Sequence, residues 1–300
     1  VFLSASTDWV TRKWSKLDVF RHETHRGLNF DYNDMNPSGM RDYASAIAVG
    51  FVIALLSIAQ AKADSRPVSE KPLHIYLLIG QSNMAGRAQI EGEHAGMIEG
   101  CFLLGPQGEW ERASNPLNRH STIRKGIDIQ RLNPGYGFAR SLRKANSEVS
   151  VGLVVNAKGG SKIEEWEKGT HFYDEALRRV HEARKNGVLK GILWHQGEGN
   201  SREPYSYLEK LKGLIADLRK DLGQENLPFV AGQVFYHPKT KLLTKAINKE
   251  IARLPEVVPN TGYVSSEGLT TFDNTHFDVP STVVLGERYA EEMLKLQGEN

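Results

Sequence analysis

Three hundred residues with 40% hydrophobic and 25% charged side chains supply a sizeable core and exclude a disordered, fibrous or polytopic membrane protein. Lys and Arg number 38 against 36 Asp and Glu, a net +2 without a basic cluster, which argues against nucleic acid as a partner. Cys101 stands alone, so the chain can form no intrachain disulfide and no multi-cysteine zinc site, and its neighbours Phe102, Leu103 and Leu104 mark it as a small buried hydrophobe.

Residues 1–39 show no apolar period and read as an extension outside the folded domain. Met40 and Arg41 precede an uncharged apolar run over residues 44–59, and Ala61-Lys62-Ala63 follows it. A basic start, an apolar middle and a small-x-small end are the pattern of a secretory signal peptide over residues 40–63. The run is short against the ~20 apolar residues of a spanning helix, so cleavage near Ala63 is expected, with export to a periplasmic or extracellular space. The mature chain then keeps no membrane span.

Residues 64–300 read as one domain in which short apolar runs alternate with amphipathic segments. Strands are predicted over 73–79, 151–155, 189–194, 229–234 and 262–265, mostly as continuous apolar runs suited to burial on both faces. Helices are predicted over 173–186, 205–222 and 281–296; in the second, Leu208, Leu211, Ile215 and Leu218 share a face and Pro204 suits its first turn. Such alternation predicts an α/β fold, three layers with a mostly parallel five-stranded sheet between helices. The stretch 105–137 is rich in Gly, Pro and Asn without a strong period and reads as a substrate-contacting loop.

Glycine-rich turns follow three successive strands. The first, Gly80-Gln81-Ser82-Asn83-Met84-Ala85-Gly86, places a serine at a strand's carboxyl end. It is neither the G-x-S-x-G elbow nor a phosphate-binding loop. Two readings of Ser82 stand at this level, a helix cap and a nucleophile. A nucleophilic serine needs a base and the base an orienting acid, and Asp273-Asn274-Thr275-His276 places an acid three residues before a histidine. Asn156 to Ser161 and His195 to Gly199 form the other two turns, whose Gly160 N–H and Gln196 amide are candidates for a developing oxyanion.

Together, Gly80-Gln81-Ser82-Asn83-Met84, Gly159-Gly160-Ser161, His195-Gln196-Gly197-Glu198 and Asp273-x-x-His276 resemble the successive blocks of the SGNH/GDSL hydrolase superfamily. The resemblance is to its sialate O-acetylesterase-type and carbohydrate esterase family 6 (acetyl xylan esterase) branch, and it runs from about Leu73 to Leu296. It implies a flavodoxin-like fold and a serine esterase acting on acetylated oligo- or polysaccharide without metal or organic cofactor. By the same resemblance Ser82 is the nucleophile, His276 the base and Asp273 its partner. Ser82 N–H, Gly160 N–H and Gln196 form the oxyanion hole. Glu198 remains a second candidate for the acid. Gln81, Asn83 and His195 are candidates for substrate contact or support. Glu164 and Trp166 are candidates for the pocket border, and Trp110 and Tyr136 for sugar stacking. Acetyl xylan or a similar polysaccharide is the expected substrate; a sialate 9-O-acetylesterase, a silent carbohydrate-binding protein on the same scaffold and a GDSL-type lipase or thioesterase are the alternative readings.

Overall fold

The computed structural model describes residues 69–236 and 242–298. The expected extension and signal peptide, over residues 1–63, lie outside the described residues.

Strand β1 (Leu73–Gly80) occupies the middle of a seven-stranded sheet. Its alternate residues divide between two cores: Ile75, Leu77 and Ile79 join one, Tyr76 and Leu78 the other. This is the period-2 geometry of a strand covered on both faces. After it come the short helix α1 (Ser82–Ala85), the strands β2 (Met97–Leu104) and β3 (Trp110–Ser114), and helix α2 (Gly135–Ala145). The remaining elements are β4 (Ser150–Ala157), α3 (His171–Ala183), β5 (Val188–His195), α4 (Tyr207–Asp221), β6 (Phe229–Gly232), α5 (Leu242–Ala252), α6 (Leu254–Val257), β7 (Thr261–Val264) and α7 (Val279–Gln297).

The strand order is β3-β2-β4-β1-β5-β6-β7, and every pairing is parallel except β2 with β3. Removing β2 and β3 leaves β4-β1-β5-β6-β7, the doubly wound order 2-1-3-4-5 whose ligand crevice opens where the chain changes direction beside its first strand. Residues of α3, α4 and α5 cover one face, and residues of α2 and α7 cover the other. The last two approach closely at Gly286, where an added Cβ would lie 2.1 Å from the Pro134 carbonyl oxygen.

The five predicted strands form this doubly wound core, and β2 and β3 enlarge it. β2 carries Glu99 and Gly100 among its apolar residues, and β3 is a short edge strand holding Glu111 and Arg112, so neither shows a buried-strand pattern in the sequence. Both overlap or adjoin the stretch read as a loop. Trp110 is thereby corrected: it packs from β3 against the core beside Gly152. Tyr136 is buried on α2, with Arg140 over its ring, so neither is a free sugar platform. Cys101 is buried, and burial pushes its thiol up to about 12, which leaves it an unreactive core residue. Among the described residues no helix is long and apolar enough to cross a membrane.

Candidate active site

The sheet register brings the three glycine turns together. Gly80 at the end of β1 is level with Ala157 of β4 on one side and His195 of β5 on the other. Lys158 N–H donates to Gly80 O at 3.0 Å and Gln81 N–H to His195 O at 2.8 Å, so the chain leaves all three strands at one height. Gly80 has φ +134°, and a Cβ there would fall 2.2 Å from the His195 carbonyl oxygen. Only glycine fits that turn.

Ser82 opens α1 and is buried, but it is not the cap: Gln81 holds that position and makes no side-chain cap bond. The Ser82 hydroxyl lies 3.0 Å from His276 Nε2. Asp273 Oδ2 lies 2.5 Å from His276 Nδ1, and its Oδ1 accepts from the backbone N–H groups of His276 at 2.7 Å and Thr275 at 3.0 Å. Asn274, at φ +64°, supplies the left-handed step that turns the chain back between acid and base. Burial works against ionisation of Asp273, but the bonds and charge of His276 and the Thr275 N–H outweigh it and hold the carboxyl below the usual carboxylate range. An ionised Asp273 fixes the proton on Nδ1, which leaves the Nε2 lone pair for the serine hydroxyl.

The neighbouring candidates brace this arrangement. Asn83 Nδ2 donates to Glu198 Oε1 at 2.8 Å and to Thr275 O at 3.2 Å, while its Oδ1 accepts from Phe277 N–H at 3.2 Å. One side chain thus ties α1 to both the histidine loop and the β5 turn. Gln81 Oε1 accepts from Gly199 N–H at 3.1 Å and Gly197 N–H at 3.3 Å. His195 is fully buried against Phe277 and Tyr289, and its Nδ1 meets the Tyr289 hydroxyl at 3.0 Å.

On the opposite side, a Cβ placed on Gly159 would lie 3.8 Å from Ser82 Cβ, so the Gly159-Gly160 turn borders the serine. Gly160 has φ +75°, and its N–H donates to no acceptor among the described residues. Gln196 departs from the expectation. Its Nε2 donates to Ser161 O at 3.1 Å and Asn200 Oδ1 at 2.8 Å, which uses both amide hydrogens. Reversing the amide is excluded, because Asn200 Oδ1 also accepts from Ile163 N–H and Asn200 Nδ2 donates to Glu164. Gln196 therefore anchors the turn that carries Gly160. Glu164 and Trp166 act below it: Glu164 bonds Asn200 and Lys210, and the buried Trp166 donates to Ser161 Oγ at 3.1 Å. Trp166, fully buried, has no surface to offer a substrate.

A serine, an imidazole and a carboxylate in line, beside backbone N–H groups at the mouth of a parallel sheet, are equipped for acyl transfer. Residues 72–295 match the protein family described as carbohydrate esterase, sialic acid-specific acetylesterase. The chain belongs to this family. It is a carboxylic ester hydrolase of the carbohydrate acetylesterase class. A probable carbohydrate esterase of Arabidopsis thaliana is 31% identical over 255 residues, which span 77% of this chain and 95% of the relative. The X-ray structure of an Arabidopsis thaliana protein, 30% identical, superposes with a TM-score of 0.67 over 75% of this chain and 98% of that one. Two more distant structures share the fold. One is a carbohydrate acetylesterase from Xanthomonas citri, 21% identical, with a TM-score of 0.58 over 76% of this chain and 57% of that one. The other is NanS, 14% identical, with a TM-score of 0.63 over 77% and 99%.

Proposed function

We propose that this esterase is exported and removes O-acetyl groups from a polysaccharide such as acetyl xylan, through an acetyl-enzyme on Ser82. The observation that carries the mechanism is the line from Asp273 Oδ2 through His276 to Ser82 Oγ, with contacts of 2.5 and 3.0 Å. Ser82 Oγ attacks the acetyl carbonyl as its proton passes to His276 Nε2. The tetrahedral oxyanion is held by the N–H groups of Ser82 and Gly160. The bond from the carbonyl carbon to the sugar oxygen then breaks, and Nε2 returns the proton to that oxygen. Water adds to the acetyl carbon while giving a proton to Nε2; acetate leaves and the proton returns to Ser82. Ser82→Ala should abolish hydrolysis of 4-nitrophenyl acetate with an unchanged circular dichroism spectrum. Near wild-type turnover in that variant would overturn the assignment.

Export rests on the apolar run 44–59 and the small residues that follow it. A second substrate, 9-O-acetylated sialic acid, is favoured by one local feature. Arg87 and Lys125 lie at the Gly159-Gly160 rim, where a Cβ on each glycine would meet the Arg87 guanidinium or the Lys125 ammonium group. A sugar carboxylate would find cations there. Acetate release compared on acetylated xylan and on 9-O-acetylated sialic acid separates the two substrates.

A further inference from the structure

The leaving sugar has a fixed position in this reaction. His276 Nε2 must reach the departing oxygen, while the carbonyl oxygen faces the Ser82 and Gly160 amides. The sugar ring therefore sits on the imidazole side of the site, and a side chain stands ready there. Phe272 is 57% exposed, and its ring centroid lies 6.0 Å from that of His276 with the two planes inclined by 25°.

Phe272 is held in place. Its N–H donates to His276 O at 3.1 Å, Thr271 pairs with Phe277 in an antiparallel bridge, and Asp278 N–H closes the loop on Thr270 O at 3.2 Å. A rigid backbone thus presents an aromatic face to solvent next to the acid–base residue. Burying a Phe side chain stabilises a fold, so exposure at a fixed position forfeits that stabilisation. Met97 and Val188, also strongly exposed, open β2 and β5 at the other end of the sheet and adjoin no reacting group.

The geometry points to Phe272 as a stacking platform for the pyranose ring whose acetyl group is removed. The apolar C–H face of the sugar lies against the phenyl ring and sets the ester oxygen beside Nε2. This assignment rests on the serine-esterase reading above and names the residue that makes such an esterase prefer a carbohydrate ester. It also takes up the role that the sequence suggested for Trp110, which packs against the core, and Tyr136, which the fold buries.

The test compares two acetyl esters that differ in having a ring. For wild type, Phe272→Ala, Phe272→Tyr and Phe272→Trp, kcat/KM is measured on acetylated xylo-oligosaccharide and on ethyl acetate. Phe272→Ala should lower the oligosaccharide-to-ethyl-acetate ratio by about fivefold or more through a higher oligosaccharide KM, and the aromatic replacements should restore it. An unchanged ratio in Phe272→Ala would overturn the platform. So would a parallel fall on both esters that Tyr and Trp do not rescue, since that would assign Phe272 to holding the loop. Ser82→Ala in the same assays keeps the two ideas separate. Its inactivity together with an unchanged Phe272→Ala ratio would remove the platform alone, whereas its activity would remove the serine mechanism beneath it.

Discussion

Asn83 donates its side-chain N–H to Glu198 Oε1 at 2.8 Å, and that bond holds the glutamate on α1 while Asp273 faces the imidazole at 2.5 Å. Two acids near one histidine thus have separate tasks. Glu198 holds Asn83, and Asn83 holds the backbone at Thr275 and Phe277 on either side of His276.

The first prediction follows from this division. Asp273→Asn removes the carboxylate that fixes the Nδ1 proton, and kcat should fall by something on the order of 10⁴, as it can when a triad acid is lost. Glu198→Gln keeps an oxygen able to accept from Asn83 and should cost less than about tenfold. Steady-state kinetics on 4-nitrophenyl acetate decide it: the opposite ranking would make Glu198 the acid partner and reduce Asp273 to a turn former.

Gln196 is the subject of a second prediction. Both of its amide hydrogens are engaged, so its truncation should act on the position of the Gly160-Ser161 turn. Gln196→Ala leaves the buried oxygens of Ser161 and Asn200 each short of a donor, and should destabilise the fold by about 1–3 kcal/mol in urea unfolding. The accompanying fall in kcat should stay below the 10²–10³ that removal of a direct oxyanion donor costs. A loss of that larger size with unchanged stability would show that Gln196 swings round to bind the oxyanion.

Much of this was legible in the sequence because each catalytic candidate sits next to a feature with a strong local cause. The apolar run before Gly80 fixes where β1 ends, and hence where Ser82 emerges. The spacing of Asp273 and His276 lets one side chain meet both the ring and the backbone of the other. What the sequence did not show depends on contacts between distant segments. Trp110 looks like an exposed aromatic in a polar loop until β3 pairs with β2 and lays it on Gly152. Gln196 looks like a free amide until Asn200, four residues on, folds back to accept from it. α2 escaped notice because it opens with Gly-Tyr-Gly, a poor helix start by propensity, and its packing against α7 compensates. Phe272 had no pattern to announce it, since its significance lies wholly in the ring beside it.

The third prediction concerns His195, which is buried with no access to the reaction. Tyr289 has one hydroxyl hydrogen and donates it to Trp194 O at 2.7 Å, so His195 Nδ1–H must donate to the Tyr289 oxygen at 3.0 Å. Nε2 is left as a buried lone pair with no hydrogen-bond partner among the described residues. Burial pushes the imidazole down to about 3, and the native ring stays neutral at any ordinary pH. The unfolded chain protonates the same ring near its usual value of about 6.5. Between these values the unfolded state binds one proton more than the native state. His195 therefore leaves stability intact above pH 6.5 and drains it as pH falls towards 3, at roughly 1.4 kcal/mol per pH unit. His195→Asn replaces the Nδ1 donor with an amide N–H and removes the titration. In urea unfolding at pH 7 and pH 4.5, wild type should lose about 2.5 kcal/mol more than His195→Asn over that interval. Equal losses in the two proteins would mean that the native ring takes up its proton over the same pH interval as the unfolded chain, and would overturn the neutral assignment.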